Sequence, residues 1–196
     1  SELAEAAYLL SVAGVGNIAN MLCPALYAIQ GTEWIDRLRD EFFDFQPENL
    51  AGMKAFPVTR AILSESERFF APAPVIPKRT TQDLNFLGRI IPSGTLIMHL
   101  HTLSHFEESR YANPLEFNPQ RWLDQDLEKA NAFGGGKHMC LGMGVTRIYL
   151  PLSLALLVPN YDINIPEPPT ATLINPQFTP SPMTTMMTGS LLPRLR

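Results

Sequence analysis

A single cysteine lies between a glycine-rich bend and an apolar segment in the last third of the chain. This run reads Ala132-Phe133-Gly134-Gly135-Gly136-Lys137-His138-Met139-Cys140-Leu141-Gly142. A helix that begins after the cysteine favours the thiolate form, because unpaired N–H groups at a helix N-terminus stabilise negative charge. Glycines lack a Cβ and let a flat ligand approach the backbone, while Phe133 can shield the sulfur from water. The pattern predicts that Cys140 presents a thiolate to a heme iron.

The spacing F-x-x-G-x-H-x-C-x-G resembles the cysteine loop of the cytochrome P450 family. The matched positions are Phe133, Gly136, His138, Cys140 and Gly142. A free cysteine is otherwise often a small apolar core residue, but five matches at fixed spacing favour the heme ligand. The resemblance implies heme b as the cofactor and Cys140 as the axial iron ligand. It also implies that the flanking residues of this loop contact the heme, including Gly134 and Leu141.

A second chemistry-bearing pattern lies upstream, where a predicted helix carries an acid and a base three residues apart. Glu65 and Arg68 lie on one helical face and can form an ion pair. Pro57 suits the first turn of this helix, and two prolines that follow Phe70 prevent its continuation. On an exposed surface such a pair contributes little to stability.

The E-x-x-R pattern followed by prolines is similar to the K helix of the same family. The segment Asn118-Pro119-Gln120-Arg121-Trp122 resembles the meander of that family. The resemblance implies that the Glu65–Arg68 pair is buried and that Arg121 is its third member. A buried pair is stabilising only when it is fully hydrogen-bonded, which a second guanidinium can provide. We expect this structural triad to lock the cysteine loop onto the core.

Between these two patterns, short β-branched runs divided by glycine and proline predict strands and turns. Their order follows that of the family, and the resemblance implies that Arg79 and His138 bind the heme propionates. Charge-assisted hydrogen bonds to carboxylates suit both side chains. Considered alone, each residue would be an ordinary surface charge.

Three histidines follow the predicted strands, with a spacing that a zinc site could use. His99 and His101 lie on one face of a strand, and His105 is close in sequence. Without a convincing fourth ligand nearby, we do not predict a metal site here.

The first thirty residues form an apolar stretch that, as a helix, reaches about 45 Å. Two glycines interrupt it in Ala13-Gly14-Val15-Gly16-Asn17, and each costs about 1 kcal/mol relative to alanine. Small residues allow either a neighbouring helix or a ligand over the heme to approach closely. The stretch resembles the I helix of the family, whose usual core is Ala/Gly-Gly-x-Asp/Glu-Thr. Ala13 and Gly14 match that core and are implied to lie beside the heme.

The same helix departs from the family pattern at the two positions that usually relay protons. Gly16 replaces the acid and Asn17 replaces the threonine, and an amide is a poor proton relay. Water or substrate can supply the protons, which leaves a monooxygenase. Alternatively, the enzyme is an isomerase, a dehydratase or a peroxide-using catalyst, because a Gly-Asn pair here is similar to prostacyclin-synthase-type relatives. A non-catalytic heme-binding module is a third alternative.

We interpret Gly16 and Asn17 as the catalytic residues on the oxygen side of the heme. The expected reaction is monooxygenation of a small apolar organic substrate with dioxygen and external electrons. We assign Phe178 to Pro182 to the same side, entering from the C-terminal end. Basic residues near the cysteine are expected to attract an acidic electron-donor protein. They are Lys129, Lys137 and Arg147.

Composition excludes some classes of protein. The 196 residues are 45% hydrophobic and 17% charged, with a net charge of −4, so neither disorder nor nucleic-acid binding is indicated. Cys23 and Cys140 do not make a disulfide framework, which favours a reducing compartment. We expect no signal peptide and no apolar run long enough to span a bilayer.

The resemblance covers essentially the whole chain and implies a fold class that is mainly α with small β-sheets. The expected order is a long I helix, J and K helices, short strands, a meander, the cysteine loop and an L helix from Leu141 to about Val158. This is the C-terminal half of the family's fold. We therefore expect residues 1–196 to be the C-terminal part of a heme-thiolate domain, separated from its N-terminal half by cleavage, splitting or truncation. That half is an expected partner, and the location is cytoplasmic or membrane-associated through it.

Overall fold

The computed structural model describes residues 2–45, 56–166 and 190–193. Within these residues the chain forms five α-helices and six short strands. In chain order they are α1 (Glu2–Ile29), α2 (Glu33–Glu41), α3 (Pro57–Phe69), β1 (Ile76–Arg79), β2 (Leu84–Phe86), β3 (Arg89–Ile91), β4 (Leu96–His99), α4 (Arg121–Asp124), α5 (Met143–Leu157), β5 (Tyr161–Asn164) and β6 (Ser190–Pro193). The predicted fold class, mainly α with small sheets, is confirmed.

Helix α1 is buried only in its C-terminal half. Ala25 and Ile29 are fully buried, whereas Leu3, Tyr8 and Val15 are largely exposed. By length and composition α1 is able to cross a membrane, so the expectation that no apolar run reaches that length was wrong. A single helix of this kind is weak support for a membrane span, because buried core helices and signal sequences share the same properties.

Helices α2 and α3 take the places expected of the J and K helices, and a side chain joins them. Thr32 caps the N-terminus of α2 by accepting a hydrogen bond from the Trp34 N–H. The Glu41 carboxylate at the end of α2 accepts hydrogen bonds from the backbone N–H groups of Val58 and Thr59, at 2.7 and 2.8 Å. It therefore satisfies the free N–H groups at the start of α3, which no local side chain caps.

The hydrophobic core lies where the C-terminal halves of α1 and α5 meet α2 and α3. Its buried side chains are Leu26, Ile29, Ile35, Leu38, Phe42, Ile62, Leu154, Ala155, Val158 and Ile165. These residues come from distant parts of the sequence, so the core holds the two long helices together at one end. Their N-terminal halves extend beyond it.

The strands form three two-stranded antiparallel sheets. Strand β1 pairs with β4 in a register that places Ile76 opposite His99 and Arg79 opposite Leu96. Strands β2 and β3 form a hairpin, and β5 pairs with β6. The hairpin turn has positive φ at Leu87 and Gly88, as a two-residue type I′ turn requires.

Helix α5 begins two residues later than predicted and ends one residue before Val158. The N–H of Thr146 donates to the carbonyl of Gly142 at 2.8 Å, which starts the helical hydrogen-bond pattern. Cys140 and Leu141 consequently lie in the loop rather than in the helix. The cysteine precedes the first helical turn, as the glycine-rich pattern predicts.

Candidate functional site

A fully buried carboxylate joins α3 to the segment that leads into α4. Arg68 grips Glu65 with two nitrogens, Nη2 to Oε1 at 2.7 Å and Nε to Oε2 at 2.9 Å. The Nε of Arg121 reaches Glu65 Oε1 at 3.2 Å. The structure thus brings together the three residues of the predicted triad, and all three side chains are buried.

Two further donors complete the surroundings of Glu65, and sequence reasoning missed both. The Trp122 indole N–H donates to Oε2 at 2.8 Å, and the Asn118 backbone N–H donates to Oε1 at 2.8 Å. A buried charge is stable only when such hydrogen bonds replace water. Trp122 was visible in the meander pattern beside Arg121, but its indole could not be assigned to Glu65 from spacing alone.

The two arginines of the triad hold a specific stretch of backbone. Arg68 Nη1 donates to the carbonyls of His105 and Pro114, at 2.9 and 2.7 Å. Arg121 Nη1 donates to the Ala112 carbonyl at 2.7 Å. Within the described chain, no hydrogen bond from the triad reaches residues 133–142. The triad holds residues 105–118 against α3, and its expected role in locking the cysteine loop onto the core stays a prediction.

The cysteine loop is closed by its own backbone. The N–H of Cys140 donates to the carbonyl of Phe133 at 2.9 Å. Gly134 and Gly136 have positive φ angles of 70° and 63°, a backbone conformation that residues other than glycine rarely adopt. Residues Gly136–His138 form one turn of 3₁₀ helix. The loop therefore needs these glycines to make its turn. Cys140 lies at the C-terminal end of the loop, just before α5.

Cys140 is a free, exposed cysteine with apolar neighbours in sequence. Leu141 is 88% exposed, and Met139 and Val145 are also exposed. Gly142 lies close to the sulfur, because a Cβ at this position would be 3.6 Å from Cys140 Sγ. A sulfur donor and uncovered apolar side chains fit an apolar, flat cofactor such as heme.

The predicted propionate ligands lie on two elements near this loop. A Cβ at Gly134 would be 3.8 Å from Ile76 Cδ1, so the start of β1 lies against the loop. Arg79 ends β1, is exposed, and donates from Nη1 to the carbonyl of Gly94 at 2.6 Å. His138 is exposed in the 3₁₀ turn. Both side chains are free of carboxylate partners among the described residues.

The residues predicted to face the oxygen side of the heme lie in the exposed, N-terminal part of α1. Ala13 and Asn17 are exposed, and Gly16 is half-buried. Added Cβ atoms at Gly14 and Gly16 would meet nothing within 4 Å. Close packing against another described element therefore does not explain these glycines. Residues 178–182, assigned to the same side, lie outside the described residues.

The three histidines cluster beside the triad without forming a metal site. The centroid of the His101 ring is 5.8 Å from that of the His99 ring and 6.5 Å from that of the His105 ring. Among the described residues, no group of three potential ligands is arranged to hold a metal ion. Both ring nitrogens of His101 and Nε2 of His105 are buried and have no hydrogen-bond partner among the described residues.

Burial lowers the pKa of two of these histidines, His101 and His105. It lowers the pKa of His105 from 6.5 to about 4, although the hydrogen bond between its Nδ1 and the Arg68 carbonyl acts in the opposite direction. The positive charges of Arg68 and Arg110 lower this pKa further. Burial and the neighbouring His99 lower the pKa of His101.

Comparison with known proteins identifies the family. The cytochrome P450 family model matches residues 1–187, and the chain therefore belongs to the cytochrome P450 family. Membership of this family implies a heme cofactor.

Two relatives show how much of a whole protein the chain represents. It is 29% identical over 188 residues to cytochrome P450 monooxygenase hkm5 of Aspergillus hancockii, a match that covers 87% of this chain and 36% of that protein. It is 35% identical over 115 residues to human cytochrome P450 2F1, which covers 56% of this chain and 23% of that protein. The chain thus spans only part of the length of these relatives.

A solved structure shows the same fold. A zebrafish cytochrome P450, solved with abiraterone, superposes with a TM-score of 0.74 at 22% sequence identity. The match covers 94% of this chain and 45% of the other. This confirms the predicted cytochrome P450 fold, of which the chain supplies a part.

Trp122→Phe tests the fifth hydrogen bond to Glu65. The substitution keeps an aromatic ring but removes the donor, and we expect the free energy of unfolding to fall by about 1.5–3 kcal/mol, as for hydrogen bonds to charged groups. Denaturant unfolding of the domain that contains this chain measures it. Trp34→Phe is the matched control, because the Trp34 indole N–H makes no hydrogen bond to a described residue. Equal losses in both variants would contradict the role given to Trp122.

The histidine cluster predicts a loss of stability in acid. An unfolded histidine binds a proton below pH 6.5, whereas folded His105 stays neutral until about pH 4. Stability is therefore fully present above pH 6.5 and decreases as the pH falls toward 4. His105→Asn retains a donor for the Arg68 carbonyl and should flatten this decrease, measured by denaturant midpoints across the pH range. An unchanged slope would exclude His105 as its source.

Proposed function

We propose that this chain carries the thiolate ligand of a heme enzyme, with Cys140 as the axial ligand of heme b. The observation that carries this proposal is the exposed, unpaired Cys140 thiol at the exit of a closed glycine-rich loop. The loop precedes a helix whose first half exposes the apolar side chains of Val145, Ile148 and Tyr149.

The residues around the thiolate take separate roles in this proposal. Phe133 shields the sulfur, and the absence of a Cβ at the loop glycines allows the macrocycle to approach the backbone. The proposed contact residues are Ala13, Gly14, Phe133, Gly134, Gly136, Leu141 and Gly142. Arg79 and His138 bind the propionates, and both are exposed and able to donate charge-assisted hydrogen bonds.

The open first half of α1 supplies the opposite side of the site. A bound heme provides reductive activation of dioxygen, and the reaction we infer is monooxygenation of a small apolar organic substrate. The Asn17 amide both donates and accepts hydrogen bonds, so it can orient a water or a substrate oxygen. Gly16 leaves space beside it, because nothing lies within 4 Å of its Cβ position.

One observation favours a second candidate, an isomerase, dehydratase or peroxide-using enzyme. Helix α1 has no acidic residue after Glu5, so neither Gly16 nor its helical neighbours can relay a proton through a carboxylate. Protons for dioxygen chemistry must then come through water or substrate. Reactions that need no external protons or electrons avoid this requirement.

The activity belongs to a larger protein in this proposal. Because the chain spans 36% of the fungal relative, residues 1–196 are proposed to act as the C-terminal part of a heme domain that also needs an N-terminal portion of the fold. The exposed halves of α1 and α5 are the surfaces that this portion and the heme cover. An acidic electron donor is proposed to bind at the exposed Lys129 and Lys137 near Cys140.

Cys140→Ser tests the proposed ligand. In the heme-loaded full-length protein, we expect this variant to lose the thiolate-type absorption spectrum of the reduced carbonyl complex, because a serine hydroxyl does not replace the sulfur donor. Cys23→Ser is the matched control, since Cys23 is half-buried in α1 far from the loop in sequence. An unchanged spectrum in Cys140→Ser would refute the assignment.

The two candidate reactions differ in whether product formation requires electrons from NAD(P)H. If the protein is a monooxygenase, substrate should stimulate NAD(P)H consumption in the presence of an electron donor, and Asn17→Ala should reduce product formed per NAD(P)H. Both quantities are measured by absorbance and product analysis. Product formed at an undiminished rate without reductant would establish the second candidate instead.

A further inference from the structure

A second acidic residue of α3 faces away from the triad and is not explained by it. Glu67 lies on a different helical face from Glu65, and its side chain is only 12% exposed. The guanidinium of Arg147 in α5 lies beside it, with Arg147 Nε 3.9 Å from Glu67 Oε1. Two helices distant in sequence are therefore joined by one ion pair.

The same arginine also contacts the cysteine loop. The Cζ of Arg147 lies 5.6 Å from the centroid of the Phe133 ring, within the range of a cation–π interaction. The carbonyl of Phe133 accepts the hydrogen bond from the Cys140 N–H. A continuous series of contacts therefore runs from α3 through α5 to Phe133, whose carbonyl is bonded to the Cys140 N–H.

Glu67 is well suited to fix this series at one end. Helix α3 is held by the five hydrogen bonds to Glu65, so the backbone that carries Glu67 has little freedom. Arg147 is 44% exposed and would otherwise be free to turn into solvent. Burial raises the pKa of Glu67, and the positive charges of Arg147 and Lys129 act against that rise.

We propose that Glu67 is a positioning residue that holds Arg147 against the Phe133 ring and thereby keeps the aromatic shield on the Cys140 thiolate. The inference rests on the proposed role of Cys140 as the heme ligand. It assigns to Arg147 a function different from binding an electron donor. It also supplies a link between α3 and the cysteine loop.

The test measures how long the thiolate ligation persists in the heme-loaded full-length protein. The readout is the rate at which the thiolate-type spectrum of the reduced carbonyl complex is lost during mild warming. Glu67→Gln and Arg147→Gln should each accelerate this loss about fivefold, the factor that corresponds to one interaction of this kind. The double variant should lose the spectrum no faster than either single variant, because both act on one contact.

Glu108→Gln is the matched control, because Glu108 is exposed and forms no ion pair with a described residue; its rate should equal that of the unsubstituted protein. A purely electrostatic effect on the thiolate would move the rates of the two single variants in opposite directions. That result, unchanged rates, or additive effects in the double variant would each overturn the proposal.

A second comparison decides the question if Glu67→Gln fails to bind heme. In a Phe133→Leu background, Arg147→Gln should cause no further acceleration, and a full additional effect would show that Arg147 does not act through Phe133. Failure of the proposed function is distinguishable from these outcomes. In that case the unsubstituted protein itself lacks the thiolate-type spectrum.

Discussion

The buried Glu65 carboxylate is the interaction on which the rest of the described structure depends. It accepts five hydrogen bonds, two from Arg68 and one each from Arg121, Trp122 and the Asn118 N–H. Removing one partner of such a group leaves an uncompensated charge, which costs several kcal/mol. Because the donors come from α3 and from residues 118–122, this one carboxylate fixes the helix to the segment that follows the strands.

The core and this ionic network together explain why the site is open. The core holds the C-terminal halves of α1 and α5, and the network holds α3 to residues 105–118. The N-terminal halves of α1 and α5 keep exposed apolar side chains such as Val15 and Ile148. Gly14, Gly16 and Asn17 lie on one of these halves, and Cys140 immediately precedes the other. Exposed apolar surface of this kind usually belongs to an interaction site. In our proposal the heme and the preceding portion of the fold occupy it.

Much of the fold was predictable because local patterns determine it. The apolar stretch located α1 within one residue at each end, and Pro57 marked the start of α3. The start of α5 was misplaced because Gly142, rather than Leu141, accepts the first helical hydrogen bond. The triad residues were found from a resemblance, but the Trp122 donor and the Arg147–Phe133 contact were not. These contacts join residues that are far apart in sequence, and spacing carries no information about them.

The proposed site depends on Cys140 as the sulfur ligand of the iron. X-ray absorption at the iron edge of the heme-loaded full-length protein identifies the ligand atoms without relying on activity. We predict one sulfur atom among the nearest neighbours of the iron, in addition to the four heme nitrogens. Coordination by nitrogen and oxygen atoms alone would rule out Cys140 as the ligand.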